Sequence, residues 1–263
     1  MYEFDYHRPT SLDDAAGRLG DEDAKLVAGG MTLIPTLKLR LAKPSQLIDL
    51  GALPALKGIS EDGDAVVIGA MTRHADVNRS SLVKRAIPAL AALAGMIGDP
   101  AVRNRGTIGG SISNNDPAAD YPAAVVALNA SVRTNKREIA ADQFFTGLFE
   151  TALEPGEIVT AVRFPKVAQA NYQKFKNPAS RYAIVGVFVA KTPAGVRVAV
   201  TGAGACVFRV PAMEAALARS FTADAIKDIA IPDSDLNADI HASAEYRAHL
   251  VNVMARRAVA ACA

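Results

Sequence analysis

The distribution of hydrophobic and polar positions divides the chain into three segments with different patterns. In residues 1–55, short apolar runs alternate with helical patterns, and residues 4–6 predict an edge strand that ends before a proline. Ser11 precedes a predicted helix whose first turn carries two aspartates, which is typical of a helix N-terminus. Apolar runs at 25–28 and 46–50 predict a buried strand and a second short strand. We therefore expect a small α/β unit at the start of the chain.

The second segment, from residue 56 to about residue 165, combines a hairpin, helices and further strands. Polar residues 61–64 separate two apolar runs and predict the turn of a hairpin. Apolar residues recur with a helical period from Ile87 to Ile97, and Asp120 stands at the start of another predicted helix. Additional strands are predicted at residues 130–133, 137–140 and 157–164.

The third segment, from about residue 170 onward, is predicted to form an antiparallel sheet followed by helices. Val196, Val198 and Val200 alternate strictly with other residues, which is typical of a strand. The predicted strands are residues 172–176, 182–191 and 195–201, and the predicted helices are residues 211–219, 222–229 and 244–261. Two α/β segments followed by an antiparallel sheet with helices indicate the fold class α+β.

Composition and charge exclude several classes of protein. Of the 263 residues, 50% are hydrophobic and 21% are charged, which predicts a substantial core rather than disorder. The net charge of +2 comes without a local cluster of Lys and Arg, so no nucleic-acid partner is expected. The most apolar run, residues 86–97, is too short to span a membrane, and the first ten residues do not resemble a secretory signal. The expected location is therefore cytoplasmic.

The sequence predicts no metal site. Cys206 and Cys262 are the only cysteines, and neither has the close spacing or the neighbouring histidine of an iron–sulfur or zinc site. We interpret them as two reduced thiols. The four histidines are scattered, and His74 is expected on an exposed helical turn.

Two glycine-rich stretches carry the clearest functional pattern. Residues 103–120, with the sequence RNRGTIGGSISNNDPAAD, combine three glycines with hydroxyl, amide and carboxylate side chains. Because glycine is unfavourable inside helices and strands, this stretch is expected to turn tightly and to present backbone N–H groups to an anion. In residues 25–32, a short apolar strand likewise runs into Gly29 and Gly30. Two such turns indicate one ligand with two phosphates, a dinucleotide.

Other interpretations of the polar motifs were weighed against this one. Gly202 and Gly204 follow a strand but lack the third glycine, the helix and the acidic residue of a Rossmann fingerprint, so a turn is expected there. No base for Ser111 is identifiable in the sequence. We therefore interpret its hydroxyl as a hydrogen-bond donor to a phosphate or as a turn cap, rather than as a nucleophile. Asp116 and Asp120 are interpreted as caps of a turn and a helix rather than as an acid–base pair. No catalytic residue is predicted. Either glycine stretch alone could be a plain tight turn, but together they favour the dinucleotide.

Three motifs resemble the FAD-binding, or medium, subunit of molybdenum hydroxylases, the family that includes aerobic carbon monoxide dehydrogenase and xanthine dehydrogenase. They are VAGGMTLIP at 27–35, IGDPAVRNRGTIGGSISNNDPAADYP at 97–122 and KFKNPASRYAIVGV at 174–187. The resemblance covers nearly the whole chain. It implies a two-part FAD-binding domain of the p-cresol methylhydroxylase type, residues 1–168, made of subdomains 1–55 and 56–168. A small C-terminal flavoprotein domain, residues 169–263, would carry a three-stranded antiparallel sheet and helices.

The resemblance implies FAD as the cofactor, with its pyrophosphate between the two glycine loops. Asp120 is expected to bind cofactor hydroxyls, and Tyr182 to lie near the isoalloxazine. Met31 occupies a place where relatives often carry a polar residue, so only its backbone N–H is expected to serve. The implied cofactor-binding residues are Ala28, Gly29, Gly30, Met31, Thr32, Leu33, Ile97, Thr107, Ile108, Gly109, Gly110, Ser111, Asn114, Asp120, Val159, Lys176 and Tyr182.

The resemblance also implies partner subunits. A molybdopterin-containing large subunit would oxidise the substrate, and an iron–sulfur small subunit would pass electrons from two [2Fe–2S] clusters to the FAD, in a dimer of heterotrimers. A quinone or NAD⁺ would then receive the electrons. One alternative is a free-standing FAD oxidoreductase of the same fold that acts on its own small substrate. Another is a non-catalytic nucleotide-binding or assembly module.

Overall fold

The first part of the fold is a small parallel sheet flanked by helices. The structure, a computed structural model, describes residues 1–20 and 23–262. The first elements are β1 (Asp5–His7), α1 (Leu12–Arg18), β2 (Lys25–Val27), α2 (Leu33–Lys38) and β3 (Gln46–Asp49). Ser11 caps α1 as predicted, because its hydroxyl accepts a hydrogen bond from the Asp14 N–H at 3.1 Å. The run at 25–28 was expected to be a buried strand, but β2 is an edge strand with Lys25 exposed, because β3 pairs with both neighbours and takes the centre.

The second part is built on a five-stranded antiparallel sheet with the order β4-β5-β10-β6-β7. The hairpin predicted around residues 61–64 is β4–β5, and the apolar helix predicted at 87–97 is α5. A separate hairpin, β8–β9, stands outside this sheet. The elements are β4 (Ile59–Asp62), β5 (Ala65–Gly69), α3 (His74–Arg79), α4 (Ser81–Ala86), α5 (Pro88–Met96), α6 (Pro100–Arg103), α7 (Ile108–Asn114), α8 (Tyr121–Ala127), β6 (Ser131–Thr134), β7 (Glu138–Ala140), α9 (Ala141–Phe144), β8 (Phe145–Gly147), β9 (Glu150–Thr151) and β10 (Val159–Pro165).

The third part is an antiparallel sheet with the order β11-β12-β13-β14. The three predicted strands are present, and a short fourth strand, β14, extends the sheet beyond the prediction. The elements are β11 (Ala170–Lys176), β12 (Ala183–Thr192), β13 (Gly195–Thr201), β14 (Phe208–Arg209), α10 (Pro211–Arg219) and α11 (Ala244–Ala261). The predicted division at residue 168 falls in the connection between β10 and β11 and stays a prediction.

Strand β12, one of the two inner strands of this third sheet, is buried on both faces, which explains its continuous apolar sequence. Phe188 and Ala190 of β12 pack into the core formed by the second part of the chain. The alternate residues Val187 and Val189 pack against α10 and α11 in a separate core. The sheet therefore joins the helices of the third part to the body that carries the glycine-rich stretches.

Two local predictions were wrong. The stretch around Gly109 and Gly110 was expected to be a turn but forms helix α7, capped by the Thr107 hydroxyl, which accepts from the Gly110 N–H at 3.2 Å. Glycine costs about 1 kcal/mol relative to alanine in a helix, but a Cβ at Gly109 would lie 2.6 Å from the Cβ of Ala70, so only glycine fits here. The predicted helix at 222–229 is only a 3₁₀ turn at Ala223–Ile226, where backbone N–H groups donate to carbonyls three residues back, such as Lys227 N–H to the Asp224 carbonyl.

Of the helices in residues 1–20 and 23–262, none is long and apolar enough to cross a membrane.

A buried carboxylate gives this fold a predictable acid sensitivity. Glu157 accepts hydrogen bonds from the Arg137 guanidinium at 3.0 Å through both oxygens, and also from Thr134 and the Glu154 N–H. The Arg137 hydrogen bond is the main cause that lowers the pKa of Glu157 from 4.5 to about 2. Because the folded pKa lies below the unfolded one, the stabilisation is full above about pH 4.5 and is lost as the pH falls toward 2.

We predict that Glu157→Gln lowers the free energy of unfolding at neutral pH and flattens its pH dependence below pH 4.5. Urea unfolding of both proteins at a series of pH values measures this. If the free energy of unfolding of both proteins changed equally with pH below pH 4.5, the role assigned to Glu157 would be contradicted.

Candidate cofactor site

A cavity of about 600 Å³ lies between the β2–α2 loop and helix α7. Most of the predicted cofactor-binding residues line it, although they come from segments far apart in sequence. The lining includes Ala28, Gly29, Gly30, Met31, Thr32, Leu33, Ile97, Thr107, Gly109, Gly110, Ser111, Asn114, Asp120, Val159 and Tyr182. The volume lies within the range of about 300–1,000 Å³ typical of ligand and cofactor sites.

Two predicted residues lie elsewhere. The Ile108 side chain is fully buried and packs into the main core with Ile112, below the cavity rather than in its wall. Lys176 is exposed at the end of β11, beside an irregularity in the β11–β12 pairing, and does not line the cavity. The roles that the family resemblance implies for these two residues stay predictions.

The two walls of the cavity approach each other most closely through the backbone at Gly29. A Cβ built on Gly29 would lie 2.1 Å from the carbonyl oxygen of Arg105 and 2.8 Å from the Cα of Gly106. On the other side of Gly106, a Cβ would lie 2.5 Å from Nε2 of His74. The β2–α2 loop, the loop before α7 and the imidazole ring of His74 are therefore stacked closely. A residue larger than glycine at 29 or 106 would not fit in this stack.

The backbone N–H groups of the two walls differ in what they can bind. Among the residues that the structure describes, none accepts a hydrogen bond from the N–H groups of Gly30, Met31 or Thr32. These groups precede α2, and Gly30 has a φ of +73°, a conformation that glycine adopts readily. This loop can therefore offer donors to anionic oxygens.

In the other wall, the protein itself uses the N–H groups at the start of α7. The Ile108 N–H donates to the Thr72 carbonyl, the Gly109 N–H to the Ala70 carbonyl, and the Gly110 N–H to Thr107 Oγ1. The anion cradle predicted at Gly109 and Gly110 is therefore not formed by free N–H groups. This wall presents glycine Cα atoms and hydroxyl side chains, which let a ligand approach the backbone closely.

The Asp120 carboxylate is buried in the cavity wall and does not cap α8 through its side chain, contrary to the prediction. Its Oδ1 accepts from the Tyr172 hydroxyl at 2.5 Å, and its Oδ2 accepts from the Lys174 ammonium at 2.8 Å. Asp116 does cap a turn as predicted, by accepting from the Ala118 N–H. Burial raises the pKa of Asp120, and the nearby Lys174 opposes that rise.

His74 lies beneath the cavity and not on an exposed turn as expected. The residue is 4% exposed, and its ring lies 5.4 Å from that of Tyr121. Its buried Nδ1 has no hydrogen-bond partner among residues 1–20 and 23–262. It begins α3 directly after Arg73, which forms an isolated antiparallel bridge with Thr107, and its backbone N–H donates to the Gly106 carbonyl at 3.0 Å. Burial, with a smaller effect of Arg103, lowers the pKa of His74 from 6.5 to about 4.

Sequence reasoning also missed Phe149, which lines the cavity opening at the β8–β9 hairpin. Its φ of +56° is unusual for an aromatic residue, and its side chain is exposed. The hairpin is held by Asn115, a buried residue whose amide donates to the carbonyls of Gly147 and Glu150 at 2.8 and 2.7 Å. No sequence pattern marks this contact, because it joins segments more than thirty residues apart.

The described residues of the site offer hydrogen-bonding groups to a ligand. Within the described residues, no group of three or more His, Cys, Asp or Glu side chains is arranged to hold a metal ion. Burial raises the pKa of Cys262 to about 11 and also raises that of Cys206, so neither thiol is activated. A cavity with free N–H donors, glycine walls and a buried carboxylate fits a dinucleotide with a pyrophosphate and hydroxyl groups.

Residues 2–167 match the family described as the FAD binding domain in molybdopterin dehydrogenase. The chain is 38% identical to the carbon monoxide dehydrogenase medium chain of Hydrogenophaga pseudoflava, over 97% of this chain and 96% of that one. It is also 38% identical to the nicotine 6-hydroxylase medium subunit of Paenarthrobacter nicotinovorans, over 97% and 95%.

The fold agrees with these relatives. A crystal structure of the Hydrogenophaga pseudoflava carbon monoxide dehydrogenase that lacks the Mo-pyranopterin moiety superposes with a TM-score of 0.90, over 99% of this chain and 97% of that chain. The chain belongs to the FAD-binding family of molybdopterin dehydrogenases, and its cofactor is FAD. The predicted family, fold class and cofactor are confirmed.

We predict that Gly29→Ala weakens FAD binding by roughly 10- to 100-fold, because overpacking must separate the two walls. The FAD-to-protein ratio after purification and the FAD dissociation constant measure this. Gly17→Ala is the matched control, because a Cβ there has nothing within 4 Å. A normal dissociation constant for Gly29→Ala would contradict the close approach of the walls.

We predict that His74 remains neutral down to about pH 5. Between its usual pKa of 6.5 and its folded pKa of about 4, the unfolded chain binds more protons. The contribution of His74 to stability is therefore full above about pH 6.5 and is lost as the pH falls toward 4. An NMR titration of the ring measures this, and a midpoint near 6.5 would show that the ring is not buried as described.

Proposed function

We propose that this chain is the FAD-carrying electron-transfer subunit of a heteromeric molybdenum hydroxylase. It would receive electrons from [2Fe–2S] clusters of a partner subunit and pass them to an external acceptor, either a quinone or NAD⁺. The observation that carries the proposal is the cavity between Gly29 and α7, with its free N–H donors on one wall and Asp120 on another. A bound flavin supplies electron uptake and release, which the side chains cannot supply.

The roles of the cavity residues are part of this proposal. The N–H groups of Gly30, Met31 and Thr32 would bind pyrophosphate oxygens, and glycine Cα atoms of α7 would let the phosphates approach. Asp120 would accept hydrogen bonds from cofactor hydroxyls. Tyr182, half exposed at the cavity opening, would lie beside the isoalloxazine and restrict access of water.

The partner subunits follow from the relatives and from the cysteine content. A [2Fe–2S] cluster is normally held by four cysteines, whereas the sequence has Cys206 and Cys262 only. Both relatives are named as medium chains or subunits of larger enzymes. We therefore propose a molybdopterin-containing large subunit and an iron–sulfur small subunit, assembled as a dimer of heterotrimers in the cytoplasm.

The substrate would be selected by the large subunit and not by this chain. The two relatives are equally identical to this chain, at 38%, but one is named for carbon monoxide and the other for nicotine. Similarity in this subunit therefore does not distinguish between oxidised substrates as different as a gas and an alkaloid.

The proposal predicts that electron transfer to the flavin requires the cluster-bearing partner. The full chain loaded with FAD is mixed anaerobically with chemically reduced iron–sulfur subunit, and the loss of flavin absorbance is followed by stopped flow. Quinone and NAD⁺ are then added separately to determine which one restores the oxidised spectrum. A matched experiment uses the isolated full chain loaded with FAD.

The outcomes separate the alternatives. Reduction of the flavin only when the cluster-bearing subunit is present supports the proposal. Reduction of the isolated chain by a small organic substrate would contradict it and favour a free-standing oxidoreductase. A chain that binds adenine nucleotides but no FAD would contradict it in favour of a nucleotide-binding module.

A further inference from the structure

The carboxylate of Asp120 accepts hydrogen bonds from two side chains of strand β11 in the C-terminal sheet. Residue Asp120 is 5% exposed, and each of its oxygens already accepts one hydrogen bond, from Tyr172 at 2.5 Å and from Lys174 at 2.8 Å. An ionised carboxylate offers about four acceptor positions. Two of them therefore remain for a ligand in the cavity that Asp120 lines.

The side chain of Lys174, including its ammonium group, is buried. Its side chain is 3% exposed, and it donates to Asp120 and, at 3.4 Å, to the Met96 carbonyl. Met96 ends α5 directly before Ile97, which lines the cavity. One ammonium thus links two separate segments of the cavity wall.

Tyr172 reaches the same carboxylate through space that a glycine leaves open. A Cβ on Gly186, in the adjacent strand β12, would lie 2.2 Å from the Tyr172 hydroxyl oxygen. The Tyr172 ring packs against Phe188 at 6.0 Å, so the ring direction is fixed by the sheet. Tyr172 and Lys174 are two residues apart on β11 and therefore point to the same face.

We propose that Lys174 and Tyr172 are positioning residues that keep the Asp120 carboxylate ionised and oriented toward the hydroxyl groups of the cofactor. This inference rests on the proposed role of Asp120 in cofactor binding and names the residues on which that role depends. Without a counter-charge, a carboxylate in this buried place would bind a proton and lose acceptor positions.

The ionisable groups around Asp120 support this arrangement. In the described part of the chain, the groups that contact Asp120 or act on it electrostatically are Tyr172 and Lys174 on β11, the neighbouring Tyr121, and Tyr182. Lys25, His74, Asp116 and Arg181 line the same cavity but make no hydrogen bond or ion pair with Asp120. Burial raises the pKa of all three tyrosines, so they stay uncharged at physiological pH. Lys174 is therefore the cation that is paired with Asp120 and can balance its charge.

The test is a double-mutant cycle on the full chain, with the FAD dissociation constant measured by flavin fluorescence. We expect Asp120→Asn and Lys174→Met each to weaken FAD binding by roughly 10- to 100-fold, the effect of a hydrogen bond to a charged group. The double variant should be no weaker than Asp120→Asn alone, because Lys174 acts through Asp120. Lys174→Arg should restore most of the affinity.

A pH series separates positioning from a merely structural role. In Lys174→Met the FAD affinity should rise with pH between about pH 5 and 9, as the uncompensated carboxyl group loses its proton. The wild-type affinity should stay nearly constant over that range. Lys166→Met is the matched control, because Lys166 is partly exposed and pairs with Glu61 away from the cavity.

Each remaining outcome is informative. Wild-type affinity in Lys174→Met, or a double variant much weaker than Asp120→Asn, would overturn the inference. If Lys174→Met does not fold, the double variant decides, since removing both charges avoids an unpaired buried ion; failure of the double variant as well would overturn the inference. Normal affinity in Asp120→Asn would instead refute the proposed role of Asp120.

Discussion

The cofactor cavity depends on one contact between two stretches of bare backbone. Gly29 packs against the Arg105 carbonyl and the Cα of Gly106, at a separation that excludes even a methyl group. The first stretch follows a strand of the parallel sheet, and the second precedes α7 in another part of the fold. Gly106 in turn rests on the His74 ring. The shape of the cavity therefore depends on the absence of side chains at Gly29 and Gly106. The contact with the backbone of residues 105–106 fixes the position of the first loop, and with it the position of that loop's N–H donors.

Burial of charge is the second constraint on the site. Desolvation disfavours the ionised form of Asp120 and the protonated form of His74, yet the two groups meet different surroundings. Asp120 has an ammonium and a hydroxyl within hydrogen-bond distance. His74 has aromatic and backbone neighbours and an unpartnered Nδ1, and it stays neutral. The cavity thus avoids a positive charge on the imidazole beneath the glycine stack, while Lys25, Arg181, Asp116 and Asp120 bring charged groups of both signs to its lining.

Local patterns in the sequence predicted most of the elements well. The bounds of β13, α10 and α11 agree with the prediction at both ends, because strict alternation and helical periodicity are properties of neighbouring residues. The two glycine-rich segments of the cavity lining were located because such motifs are also local, whereas Ile97, Val159 and Tyr182 were expected there only from the family resemblance. The conformation of Gly109 and Gly110 was predicted wrongly, since the low helix propensity of glycine was outweighed by the tight packing against Ala70.

Long-range contacts could not be predicted in this way. Tyr172 and Lys174 lie 52 and 54 positions from Asp120, and no periodicity in β11 distinguishes them from Lys176, which is exposed. The burial of His74 depends on Gly106, which approaches it only in the folded chain. These contacts follow from how three sheets meet, and a residue-by-residue reading has no access to that arrangement.

The position of β11 has a consequence for what counts as an independent unit. The family match ends at residue 167, and both glycine stretches lie within it, but Tyr172 and Lys174 lie just beyond its end. A fragment cut at that boundary would keep every recognisable cofactor motif and lose the groups that compensate the Asp120 charge. The evolutionary unit that carries the motif and the physical unit that carries the cofactor therefore have different ends. The C-terminal sheet belongs to the second, and an exchange of such domains between relatives would succeed only if β11 were exchanged with them.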